Sequence, residues 1–196
     1  MRVFGIDPGS ERTGYGCVES DGRRHRLVIC GAIATAGAPN LGARLAVIHD
    51  GLSVLLRECQ PDVVAIENLF YATNVRSALT LGHARGVAML SAVEAGLDLA
   101  EYTPTEIKRA VVGYGRAEKA QVGQMVALLL GLDAPPTPHD AADALAVALC
   151  HVHRLPARAV AVPKGRGAAS LRSWRAYRPP SEPKTARPTR AGVRRS

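Results

Sequence analysis

Long apolar runs are missing from this 196-residue chain, and their absence excludes membrane-embedded functions. No segment reaches the roughly 18 consecutive apolar residues that a spanning helix needs. The first residues carry one Arg and reach Asp7 at once, a pattern that excludes an ordinary signal peptide. We therefore expect a cytoplasmic protein without membrane contacts.

Cysteine is also scarce, and its spacing excludes two further classes of protein. Four cysteines are scattered through the sequence, mostly in apolar segments, with no C-x-x-C pair among them: Cys17, Cys30, Cys59 and Cys150. A disulfide framework or a structural zinc site needs closer and more regular spacing. We expect all four to be buried, reduced thiols.

Acidic residues are nearly absent from the end of the chain. Residues 154–196 hold twelve of the 25 Lys and Arg residues but only Glu182 among the 17 acids, a net charge of +11, which leaves −3 for residues 1–153. A segment rich in Arg, Pro, Ala and Ser cannot bury enough apolar surface to fold by itself. We therefore predict a folded domain over residues 1–155 and a basic, disordered tail over 156–196. The charge of the tail also favours non-specific attraction to nucleic acid.

Strand and helix patterns alternate along the folded part. Three short apolar segments joined by tight turns, within residues 2–36, predict an antiparallel meander. Helical periodicity begins after Asn40, a suitable N-cap, and the last helix is predicted from about Thr137 to His153. The full order, βββ-α-β-α-β-α-α-α, predicts an α/β domain with a mixed five-stranded sheet flanked by helices.

The opening segment GIDPGSERTGYG permits two interpretations. Its glycines are typical of a loop that cradles a nucleotide phosphate, as in ATPases of the actin and sugar-kinase type. Alternatively, Asp7 ends a buried strand as a metal ligand, and Pro8-Gly9 turns the chain away from it. The ATPase alternative requires a second lobe of similar size, for which the chain is too short.

Four carboxylates stand where burial makes a charge costly. Asp7 and Glu67 each end an apolar strand, and Asp140 and Asp143 lie one turn apart on the last helix. A crossover after the third strand places the fourth strand beside the first, which brings Asp7 and Glu67 together at the carboxyl edge of the sheet. Clustered carboxylates favour Mg²⁺ or Mn²⁺, and two such ions about 4 Å apart can cleave a phosphodiester.

Simpler explanations exist for three of these acids. Asp7 can cap a turn, Glu67 can be a solvated charge at a strand end, and Asp140 can stabilise the start of a helix through its macrodipole. Asp143 is harder to explain in this way, because it interrupts an apolar segment of the helix. The residues alone leave a metal site and unrelated carboxylates as alternatives.

Five segments together resemble the RuvC family of Holliday-junction resolvases. They are collinear with that family over about residues 2–153: GIDPGSERTGYG, AIENLFYATN, ALTLGHARGVA, VVGYGRAEKAQV and HDAADALAVALCH. The resemblance implies a ribonuclease-H-like fold and a homodimer that nicks four-way junction DNA symmetrically with Mg²⁺, beside the branch-migration partners RuvA and RuvB. A non-catalytic junction-binding module, a ribonuclease H and an integrase are the alternatives with related chemistry or fold.

The resemblance also implies an active site. The family's four catalytic acids fall on Asp7, Glu67, Asp140 and Asp143, which would hold two Mg²⁺ ions, with Mn²⁺ able to substitute. His139 precedes Asp140 directly. It is either a metal ligand or proton shuttle, or a solvent-exposed residue at a helix start.

An aromatic pair is expected to contact the DNA bases. Phe70 matches an aromatic residue of a family loop that enters the junction centre and disrupts base pairing. Tyr71 beside it either stacks on a base or packs beneath the loop. In the same picture, Gly14 and Gly16 keep the second strand slim, so that the hairpin can sit close to DNA.

Four basic side chains are expected to contact the phosphate backbone. Family lysines with this role fall on Lys108 and Lys119. Arg76 follows the aromatic loop, and Arg116 lies in a Gly-Tyr-Gly-Arg turn before Lys119. Ordinary solvated surface charges are the alternative for each of them.

Two small residues on the second helix bear on assembly. Gly82 and Gly86 lie one turn apart on one helix face. Either they let the helix pack closely on its own sheet, or, as the resemblance implies, they let it pair with a second copy of the chain.

Overall fold

The computed structural model describes residues 1–68 and 74–155, so the predicted tail over 156–196 lies outside the described residues. No helix in the described part has the length and apolar content to cross a membrane. The elements follow one another in the predicted order βββ-α-β-α-β-α-α-α: β1 (Arg2–Asp7), β2 (Arg12–Ser20), β3 (His25–Ala34), α1 (Leu41–Cys59), β4 (Val63–Glu67), α2 (Val75–Glu94), β5 (Asp98–Tyr102), α3 (Pro104–Val112), α4 (Lys119–Leu130) and α5 (His139–Arg154).

The five strands form one mixed sheet in the order β3-β2-β1-β4-β5. The first three strands pair antiparallel, whereas β4 runs parallel to both β1 and β5. Within the β1–β4 pair, Ile6 lies opposite Ile66. The prediction that β4 lies beside β1 is therefore confirmed, and the next residue of each strand is an acid at the same edge of the sheet.

Helices cover both faces of the sheet. On one face, Phe4 and Ile6 pack in a core formed with α1 and α2. On the other, Val3 and Val18 pack in a core formed with α3, α4 and α5. Because side chains alternate along a strand, Asp7 is in phase with Val3 and is directed to the α5 face.

Glycines in β1 and β2 allow α5 to lie unusually close to the sheet. A Cβ atom added to Gly5 would lie 2.0 Å from the carbonyl oxygen of Ala144, and one added to Gly14 would lie 2.0 Å from that of Asp140. At Gly16 it would lie 2.6 Å from Leu145 Cδ2. The expectation that Gly14 and Gly16 make room for DNA is therefore wrong, because α5 fills the space beside them.

Helix starts follow local chemistry. Asn40 Oδ1 accepts a hydrogen bond from the Ala43 amide at 2.9 Å, which confirms the predicted N-cap of α1. The last helix begins at His139, two residues later than predicted. Thr137 precedes a proline, and the proline ring disfavours helical backbone at the residue before it.

One face of α2 carries apolar side chains that the described part of the chain leaves exposed. A Cβ atom added to Gly82 or Gly86 would meet nothing within 4 Å. The interpretation that these glycines let α2 pack closely on its own sheet is therefore wrong. Large side chains extend the same face, with 48% to 76% of their surface exposed: Val75, Leu79, Leu90 and Val93. The helix packs inward through other residues, Ala84 and Ala88 among them.

We predict that Gly5→Ala is strongly destabilising. The added methyl group would collide with the backbone of α5, which cannot move aside as a flexible side chain can, and overpacking typically costs about 1–3 kcal/mol or more. Gly42→Ala is the control, because the nearest atom to its added Cβ is 3.4 Å away and alanine favours a helix. Urea unfolding measures both; equal stability of the two variants would contradict close packing at Gly5.

Candidate active site

Asp7 and Glu67 form a partly buried pair at the carboxyl edge of β1 and β4. Burial raises the pKa of Asp7 to about 8, and the charge of Glu67, a hydrogen bond with it and the charge of Asp143 act in the same direction. Burial and the charge of Asp143 raise the pKa of Glu67 as well. The folded protein therefore disfavours the ionised forms of both carboxyl groups.

Helix α5 brings Asp140 and Asp143 to the same edge. The Asp140 backbone lies against Gly14, the residue paired with Asp7 across the β1–β2 ladder. Asp143 lies one turn further along α5, close enough for its charge to act on both Asp7 and Glu67. The predicted meeting of these acids depends on α5 approaching the glycine positions of the sheet.

Cationic side chains engage the two helix acids. Lys119 Nζ donates a hydrogen bond to Asp143 Oδ2 at 2.7 Å, and this bond raises the pKa of Lys119. Arg12 Nε lies 3.3 Å from Asp140 Oδ2. The sequence does not predict this role of Arg12, because nothing in its local pattern indicates a partner on the last helix.

The donor chemistry of this edge fits a hard divalent cation. Its available donor atoms are carboxylate oxygens, and a cation beside Asp7 and Glu67 would favour the ionised forms that burial disfavours. Within residues 1–68 and 74–155, no three His, Cys, Asp or Glu side chains already close around one point. Asp140 and Asp143 point instead to the cations Arg12 and Lys119.

The remaining predicted residues are distributed around this edge. The charge of Lys108 lowers the pKa of Glu67, so Lys108 stands near the acids, as Lys119 does. His139 is exposed at the first position of α5, and Arg76 and Arg116 are exposed at the start of α2 and in the turn before α4. No described contact joins these three to the acids.

The aromatic pair lies outside the described residues. Phe70 and Tyr71 fall within 69–73, between the end of β4 and the start of α2. Their assignment to the bases remains a prediction. The segment begins two residues after Glu67, the last residue of β4.

The packing of the opening segment contradicts its interpretation as a loop that cradles a phosphate. Gly14 and Gly16 face α5, and a Cβ atom added to Gly9 would lie 2.2 Å from the carbonyl oxygen of Arg12. Thr13 stabilises this turn, because its Oγ1 donates a hydrogen bond to the Gly9 carbonyl oxygen at 2.8 Å. These glycines therefore serve packing and a tight turn.

We predict that Asp7→Asn makes the protein more stable above neutral pH in the presence of a chelator. The pKa of Asp7 is raised from 3.8 to about 8, so the folded state retains a proton that the unfolded state has lost, and stability falls as pH rises between these values. Thermal melting from pH 5 to 9 should show a flatter profile for the variant. Asp98→Asn, at the opposite edge of the sheet, is the control and should parallel the original protein. Parallel profiles for all three proteins would contradict the raised pKa.

Comparisons with known sequences agree on one family. The family model described as Crossover junction endodeoxyribonuclease RuvC matches residues 3–151. A protein of that name from Koribacter versatilis is 55% identical over 154 residues, covering 78% of this chain and 93% of the relative. Another from Trichlorobacter lovleyi is 49% identical over 179 residues, covering 91% of this chain and all of the relative.

Solved structures agree with the sequences. Thermus thermophilus RuvC in complex with a Holliday junction substrate superposes with a TM-score of 0.74 at 36% identity, covering 78% of this chain and 93% of that one. The predicted ribonuclease-H-like fold is confirmed by this similarity. Since the family model spans well over half of the sequence and several relatives are about half identical, the chain belongs to the RuvC family of crossover junction endodeoxyribonucleases.

Proposed function

We propose that this chain resolves four-way DNA junctions by paired symmetric nicks, in recombination and repair. The observation that supports this most is the Asp7–Glu67 pair at the sheet edge, with the charge of Asp143 acting on both, in a member of this endonuclease family. The Thermus thermophilus relative was solved with a Holliday junction substrate, which gives the substrate class. We place the reaction in the cytoplasm.

Four carboxylates would hold the divalent metal that this nuclease family uses. We propose Mg²⁺, two ions per site, with Mn²⁺ able to substitute, and Asp7, Glu67, Asp140 and Asp143 as ligands. When bound, Mg²⁺ supplies an activated water and stabilises the leaving oxygen of the phosphodiester. Asp140 and Asp143 would exchange their contacts with Arg12 and Lys119 for the metal ions.

Basic side chains make the acidic edge accessible to a polyanion. Lys108 and Lys119 stand beside carboxylates that would otherwise repel DNA phosphates, so they offset the local charge and offer phosphate contacts. Arg76 and Arg116 are exposed and are proposed to extend the phosphate contacts away from the acids. His139 is proposed as a metal ligand or a proton shuttle at the reacting oxygen.

The aromatic loop is proposed to act on the junction centre. Phe70 would insert between bases, with Tyr71 supporting it, because aromatic side chains stack on unpaired bases of any sequence. The loop starts just after Glu67, so the two functions would be adjacent in space as well as in sequence.

A homodimer is proposed to deliver the two nicks. Symmetric cleavage of a junction needs two equivalent active sites, which a two-fold dimer provides. The exposed apolar face of α2, with Gly82 and Gly86 at its centre, supports pairing through this helix. RuvA and RuvB are proposed as the partners that present the junction.

We predict that Asp7→Asn abolishes cleavage but keeps junction binding. Removing a ligand weakens binding of the ion that would stabilise the transition-state charge, and loss of such stabilisation typically costs about 10²–10³ in rate. Nicks on a labelled synthetic four-way junction, mapped with Mg²⁺, with Mn²⁺ and with a chelator, give the rate; a gel-shift titration in Ca²⁺ gives the affinity. Asp98→Asn is the control and should cut normally. Cleavage by the Asp7 variant at the original rate would remove Asp7 from the site, and bound but uncut junctions with the unchanged protein would overturn the proposed function.

We predict that Leu79→Glu converts the protein to a monomer. A charge at the centre of an apolar interface must be desolvated without a partner, which opposes association. The molar mass measured by light scattering after size exclusion should fall from that of a dimer to that of a single chain, 20.7 kDa. Leu128→Glu, on α4 and 73% exposed, is the control and should remain dimeric. A dimeric Leu79 variant would show that α2 is not the interface.

A further inference from the structure

Two histidines meet at the end of the fold opposite to the acids. His25 opens β3, and His153 lies in the last turn of α5. At about 1.5 Å per residue, α5 places His153 about 20 Å from Asp140. Their Nε2 atoms face each other at 3.3 Å, with the rings tilted by 55°. This histidine pair takes no part in the proposed cleavage.

The Nδ1 atom of each ring makes a hydrogen bond, on the side of the ring away from the other histidine. His153 Nδ1 lies 2.9 Å from the carbonyl oxygen of Ala110, which can only accept, so Nδ1 carries the proton and the neutral ring presents a bare lone pair at Nε2. His25 Nδ1 lies 2.9 Å from Ser20 Oγ, which also accepts from the Gly22 amide. Histidines that bind metals are typically oriented in this way, through the other ring nitrogen.

The separation of the two nitrogens matches a shared ion. Two imidazole nitrogens bound at about 2.0–2.1 Å to one tetrahedral Zn²⁺ lie about 3.3–3.4 Å apart. We propose that His25 and His153 form a binding site for a borderline divalent transition-metal ion such as Zn²⁺, with water completing the coordination. Imidazole favours such ions over Mg²⁺, so this site and the carboxylate edge select different metals.

Open space lies beside His25 for the water ligands of an ion. A cavity of about 630 Å³ is lined by His25, Ser20 and Asp21 among others. Arg26 and Arg154 are engaged by acids, Arg26 with Glu19 and Arg154 with Glu106, whereas Arg24 lines the cavity beside His25.

A bound ion would clamp the β2–β3 hairpin to the end of α5. The two histidines are far apart in sequence, and an ion that binds only the folded state stabilises it in proportion to its occupancy. The expected signature is therefore a rise in melting temperature with Zn²⁺ that requires both rings.

Calorimetric titration with Zn²⁺ in excess Mg²⁺ tests this site, because Mg²⁺ competes for the carboxylate edge. We expect one Zn²⁺ per chain at this site, and at least tenfold weaker binding in both His25→Gln and His153→Gln. His83→Gln is the control: His83 is exposed on α2, where its Nδ1 bonds the Leu79 carbonyl oxygen, so this variant should bind Zn²⁺ as the unchanged protein does. Unchanged Zn²⁺ binding in the His25 and His153 variants would overturn the proposal. The contact between the two rings would then be a simple N–H···N hydrogen bond.

A second measurement keeps the test independent of how the variants fold. X-ray absorption at the zinc edge of the unchanged, Mg²⁺-saturated protein should show two imidazole nitrogens on the ion. Fewer than two would overturn the site. Neither result depends on junction cleavage, so failure here leaves the proposed nuclease activity intact.

Discussion

The backbone of α5 rests on the backbone of β1 and β2 because glycines stand where their side chains would meet. A Cβ atom added to Gly5 or Gly14 would overlap a carbonyl oxygen of the helix. This contact fixes the height and direction of α5 over the sheet. It also determines where Asp140 and Asp143 stand, since both belong to the first turns of the same helix.

The carboxylate edge is arranged at the expense of stability. Burial and mutual repulsion raise the pKa values of Asp7 and Glu67, which means that the folded protein disfavours their charged forms. Lys119 and Lys108 relieve part of this repulsion. The same arrangement suits a nuclease, because a divalent cation would favour the ionised carboxylates and the neighbouring lysines attract a phosphate backbone.

Different parts of the surface serve different proposed tasks. The carboxyl edge of the sheet carries the acids, the outer face of α2 carries apolar side chains suited to a second copy of the chain, and the far end of α5 carries the histidine pair. Helix α5 spans the distance between the acids and the histidines. Because α5 is one continuous helix, its packing contact with the sheet positions both ends.

Much of the fold could be predicted from the sequence because its signals are local. Apolar strands ending in Asp7 and Glu67, the cap at Asn40 and the helical periodicity all depend on neighbouring residues, and the crossover rule then placed β4 beside β1. The roles of Gly14, Gly16 and Arg12 could not be predicted in the same way. Each depends on which residues of a distant helix come to lie beside it.

By itself, the sequence determined the order of elements and, through five collinear segments, the family, and it predicted four acids as the candidate site. Tertiary structure alone decided that the glycines of β2 receive α5, that Arg12 reaches Asp140 and that His25 meets His153. The physical reason is range: periodicity and capping act within a few residues, whereas the pairing of side chains from the two ends of the domain is set only when the helix packs on the sheet.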